Sequence, residues 1–201
     1  QIDAYVNSAK GAMWGATLTP LLTMLAYGDL PVNGGFIRPV HVDLGEPGSV
    51  VNATLPAPVS NAHTEVGVRA SKLTRDVMSQ AVSLSEDPVL RSRVTGQPQE
   101  GFCGNTFWGE KQNGGISVLA YFDTVQGIGG GGQSSGDGLD TYGLTSTTGG
   151  RVEEVEIHEA KDPQLWIWRN LAVNAAGPGL HRGGAALQQG SAIAYSERLG
   201  G

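Results

Sequence analysis

Ten glycines fall between Gly127 and Gly150, and Gly129 to Gly132 are consecutive. No other stretch restricts the fold of this chain as strongly. A segment so poor in Cβ atoms loses the most backbone entropy on ordering and brings no side chains to a core, so it suits neither a helix nor a strand interior. Two readings stand: a concave nest of N–H groups around an anion, and a flexible surface loop. The Lys and Ser/Thr of a phosphate-binding loop do not follow, and the dinucleotide-binding spacing is imperfect. The run therefore does not make a nucleotide site by itself. Asp137-Gly138-Leu139-Asp140 follows it directly.

With 201 residues and 39% hydrophobic content, the chain can bury on the order of 70% of its unfolded surface as one domain. Its net charge of −6 is spread rather than blocked, which argues against nucleic acid or an anionic membrane as partner. Cys103 is alone; that excludes an internal disulfide and a multi-thiolate zinc site and fits a reducing compartment, with the cytoplasm as the simplest location. Met13 to Tyr27 is interrupted by Gly15 and Pro20 and falls short of the roughly 20 apolar residues of a membrane span. No basic start with a small-residue cleavage site marks a secretory signal. The chain begins at Gln1 and enters helix-like sequence at once, so a piece of a longer chain is expected.

Local pattern predicts an α+β domain with a helical N-terminal half and a β-rich, Gly-rich C-terminal half. Gln1 to Leu18 reads as helix, and Thr19-Pro20 as an N-cap with proline at the first position of a second helix reaching about Tyr27. Gly28 to Pro31 ends that helix. Phe36 to Val42 reads as a strand and Gly45 to Ser60 as an extended loop. Val66, Ala70, Leu73, Val77, Ala81 and Leu84 recur at helical spacing and are assigned to the buried face of one helix, capped by Asn61 and stopped by Asp87-Pro88. Ile116 to Phe122 reads as a buried strand. Val152 to Ile157 alternates with period two, which puts Val155 and Ile157 inward and Glu154, Glu156 and His158 outward. Leu165 to Val173 and Ala192 to Tyr195 are the remaining strand candidates.

Carboxylates dominate the candidate chemistry. Glu153, Glu154, Glu156 and Glu159 offer pairs for proton transfer or for a hard metal ion, or else the solvated face of a strand. His41, His63 and His181 are too scattered to define a metal site. His181 and Arg182 share a glycine turn, where a guanidinium can grip a carboxylate or phosphate through two donors. The surroundings of Cys103 fit a small buried thiol better than a reactive one. Trp108, Trp166 and Trp168 read as packing residues, with Trp166 and Trp168 on one side of their strand.

Several ordered motifs resemble the hydantoinase B/oxoprolinase family. Glu156, Glu159 and Pro163 keep the spacing of its E-x-x-E-x-x-x-P, and Gly177-Pro178-Gly179 with Arg182-Gly183-Gly184 keeps that of its S-G-G-P-G-x-x-R-G-G. Pro31 to Val40, with Asn33 and Arg38, resembles I-P-x-N-x-G-x-x-R-P-I. Pro56-Ala57-Pro58-Val59 matches P-A-P-V, and Asn105 to Gly109 resembles N-x-x-F-G. The likeness runs from about Gly28 to Gly184. Two departures stand out: Asn174-Ala175-Ala176 replaces D-S-G or S-G-G, and Leu180-His181 replaces Lys-Tyr.

That resemblance implies one domain, residues 1–201, of a longer B-type chain of an ATP-dependent enzyme that opens hydantoins or 5-oxoproline. An A-type partner would bind ATP. Subunits of acetone and acetophenone carboxylases belong to the same family, so ketone carboxylation is the alternative reading. A non-catalytic assembly module that uses the glycine loop and the Trp strand is the alternative of another class. Asp137, Glu156 and Glu159 are the expected catalytic carboxylates, gathered by strand pairing around the glycine loop. His181, Arg182, Asn33 and Arg38 are the expected substrate contacts. ATP and a divalent metal are implied for the complete complex. No metal ligand is assigned here, because the family's metal-binding His and Asp residues fall in a part not matched by this chain.

Overall fold

Asn7 prevents the helix predicted from Gln1. Its Nδ2 donates to the carbonyls of Ile2 (2.6 Å), Ala4 (2.9 Å) and Pro58 (2.7 Å), while its Oδ1 accepts the Ile2 N–H at 2.9 Å. The residue is fully buried. An asparagine that satisfies nearby backbone in an irregular conformation competes with helix formation, and the first helix, α1, accordingly spans Lys10–Leu25. The computed structural model behind this geometry describes residues 1–25, 31, 33–59, 66–97, 105–111, 114–121, 127–142, 154–194 and 199–200. Expectations resting on Gly28, Asn61, His63, Cys103, Phe122, Gly150, Glu153 and Tyr195 lie outside the described residues.

The chain divides into two compact units, residues 1–97 with 133–135, and residues 98–132 with 136–201. In the first, α1 runs through Pro20 instead of restarting there. Proline removes one helical N–H, but Pro20 is buried along with Met13, Leu18 and Met24 on the helix, and packing against a second long helix outweighs the lost bond. Arg93 Nη1 closes α1 by donating to the carbonyls of Met24 (2.9 Å) and Leu25 (2.7 Å), as a basic side chain does at a helix C-terminus. The expected strand at Phe36 is instead a single helical turn, α2, Gly34–Ile37.

The long partner is α3, Val66–Ser83, where the spacing predicts a helix, but its buried face is not the predicted one. Gly67, Ser71, Ser79 and Val82 are buried, whereas Leu73 is 64% and Leu84 86% exposed. Small residues make up most of that face, and Ser79 finds polar partners there: its Oγ donates to the Thr95 carbonyl at 2.8 Å and accepts the Thr95 N–H at 3.2 Å. Asp87 does stop the helix region, capping α4, Pro88–Arg91, by accepting the Val89 N–H at 2.8 Å.

The second unit carries an antiparallel sheet, order β2-β1-β5, from β1 (Asn105–Glu110), β2 (Ile116–Tyr121) and β5 (Leu199–Gly200). Gly114 and Gly115, with φ of +83° and +85°, close the β1–β2 connection. β2 is less buried than expected: Ile116 and Val118 face outward and Ser117 inward. A separate antiparallel pair joins β3 (Gln164–Leu171) to β4 (Leu187–Ile193). Its register breaks between Trp166 and Trp168, so the two tryptophans are not equivalent as period two predicts. Trp168 lies across Gly190, where a Cβ would meet its ring at 2.5 Å.

The largest correction is the predicted strand at Val152 to Ile157. Residues Val155–Lys161 form a helix, α5. Glu, Ala and Lys are strong helix formers, Glu156 lies in the first turn and His158 and Lys161 in the last, and that order of charge matches the helix dipole. The inward positions are Val155, His158, Glu159 and Asp162, spaced by three and four. The chain is thus α+β. No described helix is long and apolar enough to cross a membrane.

Candidate functional site

Three segments of the second unit interlock through their backbones: residues 127–132, 136–142 and 181–187. The Gly130 N–H donates to Leu139 O (2.9 Å), Gly184 N–H to Gly130 O (2.7 Å), Gly138 N–H to Arg182 O (2.8 Å), Thr141 N–H to Ala185 O (2.9 Å) and Leu187 N–H to Gly127 O (2.6 Å). Residues 127–131 are all buried. A Cβ on Gly129 would overlap the Gly184 carbonyl, one on Gly138 the Gly130 carbonyl, and one on Gly184 the Leu139 carbonyl. The glycines permit backbone to touch backbone. Neither the flexible loop nor the anion nest of the sequence reading describes this segment.

The interlock delivers Asp137, Asp140, His181 and Arg182 to one exposed place. Asp137 Oδ1 accepts the Arg182 N–H at 3.0 Å, and its Oδ2 lies 3.4 Å from Arg182 Nε. Asp140 Oδ1 accepts the Ala185 N–H at 2.7 Å and Arg182 Nη1 at 3.2 Å. Arg182 Nη1 also donates to the Gly183 carbonyl at 2.9 Å, so one guanidinium spans two carboxylates. His181 Nδ1 stands 3.8 Å from Asp137 Oδ1. The hydrogen bond from Ala185, and secondly that from Arg182, holds the Asp140 carboxyl below its ordinary value of 3.8, because both donors favour the charged form.

The other candidates are placed elsewhere. Glu159 Oε1 accepts the Trp166 N–H at 2.7 Å and so ties α5 to β3. Glu156 is exposed, and among the described residues no hydrogen bond or ion pair joins either glutamate to Asp137. The strand pairing expected to gather all three carboxylates does not exist, since Glu156 and Glu159 sit on a helix. Asn33 caps α2, its side chain accepting the Gly35 N–H at 2.8 Å, and Arg38 follows that turn. Both belong to the first unit.

Asp140 is the residue that sequence reasoning passes over. Its one signal is its place in Asp137-Gly138-Leu139-Asp140, two turn-forming acids beside the glycine run. Among the described residues no group of three or more His, Cys, Asp or Glu is placed to hold a metal ion. Nor does the cluster fit the ATP and divalent cation that the resemblance implies for the complete complex. Arg182 already lies between the carboxylates, and neighbouring backbone fills the space along the glycine run.

The fold is shared with much larger proteins. A nucleotide-free structure of acetone carboxylase, from work on ATP-dependent acetone carboxylation, superimposes with a TM-score of 0.71 at 15% identity, over 97% of this chain and 25% of that one. The ATP-dependent caprolactamase of Pseudomonas jessenii gives a TM-score of 0.76 at 24% identity, over 96% of this chain and 32% of that one. The chain thus spans a quarter to a third of these relatives' length. No curated protein matches it. The sequence model of the hydantoinase B/oxoprolinase family matches residues 1–197, nearly the whole chain, and the chain belongs to that family.

Proposed function

We propose that this chain is part of the B-type component of an ATP-dependent enzyme that opens cyclic amides such as hydantoins or 5-oxoproline, acting in the cytoplasm with an A-type, ATP-binding partner. The family match over residues 1–197 carries the reading. The likeness to a caprolactamase supports ring opening. The comparable likeness to acetone carboxylase supports a second reading, carboxylation of a small ketone.

ATP bound by the partner would supply the phosphoryl group that activates the carbonyl oxygen. The residues of this chain then have defined tasks. Opening a lactam needs a base for the attacking water and an acid for the departing nitrogen. Asp137 is half exposed with His181 3.8 Å away, so Asp137 takes the water's proton and His181 returns one to the nitrogen. The new bond joins the water oxygen to the carbonyl carbon, the ring C–N bond breaks with its electron pair passing to the nitrogen, and a second water releases the phosphoryl group as phosphate to leave the carboxylate. Arg182, held by both aspartates, orients Asp137. Glu156 and Glu159 have no part in this step.

The test is co-expression with the A-type partner, followed by ATP-dependent turnover assays on hydantoin, 5-oxoproline, caprolactam and acetone. A stable complex that opens a cyclic amide supports the first reading, and one that carboxylates acetone alone supports the second. A complex inert toward all four, or a chain that captures no ATP-binding partner, rejects both.

A further inference from the structure

We propose that Asp140 makes this site select an uncharged substrate over one that bears a carboxylate. The inference rests on reading the cluster of Asp137, His181 and Arg182 as the substrate site. Arg182 is the guanidinium that a carboxylate would seek there, since such pairs form charge-assisted, two-donor contacts. Its Nε faces Asp137 Oδ2 at 3.4 Å and its Nη1 bonds Asp140 Oδ1 at 3.2 Å. Two carboxylates against one guanidinium leave the cluster with one net negative charge when His181 is neutral and none when it is protonated. An arriving carboxylate sheds hydration and finds no surplus positive charge in return. A lactam, imide or ketone oxygen carries no such cost, because it needs only a donor.

Asp140 holds the balance. Asp137 alone would leave the guanidinium neutralised once, with Nη1 bonded to the uncharged Gly183 carbonyl but to no carboxylate. The Ala185 N–H fixes Asp140 Oδ1 at 2.7 Å and, with Arg182 second, shifts the carboxyl toward its charged form. The other described arginine near the β3–β4 pair, Arg169, stacks over the Trp166 ring at 4.2 Å and donates to Gln189 at 3.1 Å.

The probes are 2-pyrrolidinone and 5-oxoproline, the same five-membered lactam without and with a carboxylate. Each is measured as a competitive inhibitor of the reaction that the assembled complex catalyses. The wild type should bind 2-pyrrolidinone better. Asp140→Asn keeps an oxygen for the Ala185 N–H but removes the charge, and should move the ratio of inhibition constants toward 5-oxoproline by about three- to tenfold, the effect of one unit charge a few ångströms away at a partly solvated site. In the wild type the preference should weaken at about 1 M salt, where charges are screened beyond roughly 3 Å; this measurement needs no variant to fold. Equal or better binding of 5-oxoproline, binding of neither probe, a salt-independent ratio, or an unchanged ratio in a folded Asp140→Asn enzyme overturns the inference. Asp137→Asn separates the two layers. If its turnover is intact, the cluster is not the substrate site and the underlying reading fails, whatever the ratio shows for Asp140.

Discussion

The amide N–H of Ala185 lies 2.7 Å from Asp140 Oδ1 and donates to it. The bond favours the ionised carboxyl and lowers its pKa below 3.8, and the sign of the consequence follows. A carboxylate whose pKa is depressed on folding contributes stability that is fully present above the unfolded value and is lost as pH falls through the folded one. Melting temperature should therefore be flat in this respect from neutral pH to about 5 and decline below about 4. Asp140→Asn should flatten the acid limb, measured as melting temperature against pH from 6 to 2. An acid limb identical in the two proteins would show that Asp140 adds nothing to it.

Gly184→Ala should destabilise the second unit by about 3 kcal/mol or more, because its Cβ would overlap the Leu139 carbonyl and backbone cannot give way as a side-chain end can. Gly136→Ala is the matched control. No heavy atom lies within 4 Å of its Cβ position, so this variant should range from unchanged to about 1 kcal/mol more stable. Denaturant midpoints of the two variants compare them directly, and equal midpoints would contradict the interlocked backbone.

Ser79→Ala and Leu73→Ala reverse the usual expectation for a helix. Ser79 exchanges two hydrogen bonds with Thr95, so its loss should cost about 1–2 kcal/mol. Leu73 is 64% exposed, and its truncation should stay within about 0.5 kcal/mol. Were Leu73 a core residue, the same change would cost about 2–5 kcal/mol. Chemical denaturation of the two variants decides which face of α3 is buried.

Arg182→Lys keeps the charge but loses the fork that reaches both Asp137 and Asp140. Because Arg182 is half exposed, the stability cost should be no more than about 1 kcal/mol after solvent screening. If Arg182 orients Asp137 for chemistry, kcat/KM of the assembled enzyme should fall by tenfold or more while the melting temperature moves by only a few degrees. Unchanged kinetics with a lowered melting temperature would assign the residue a structural role alone.

Periodicity located α3 and β3 because both are long relative to their pattern, yet it chose the wrong face of α3. That choice assumes the larger apolar residues face inward, whereas the buried positions include Gly67, Ser71 and Ser79. The Val152 to Ile157 alternation failed for a different reason. Six residues of period two are outweighed when the next ones, Glu159, Ala160 and Lys161, supply helix propensity and a favourable charge order. Asp137, His181 and Arg182 were legible through the glycine motifs, which recur as one signal although they lie more than forty residues apart. Asp140 was not, since nothing local shows that the Ala185 N–H and Arg182 will converge on it. Pairing between distant backbones has no signature in composition.

The interlock of residues 127–132, 136–142 and 181–187 also dictates when the site can exist. Gly130 and Gly184 are joined by a hydrogen bond across 54 intervening steps of chain, and such non-local closures form late because loop entropy is lost before any contact is gained. During synthesis from the N-terminus, Asp137 and Asp140 emerge well before Arg182 and Ala185, and the buried glycine backbone waits with unpaired donors and acceptors. A nascent chain halted before His181 would hold every acidic residue of the cluster and none of its geometry, and would be a substrate for chaperones and proteases rather than a smaller version of the same site.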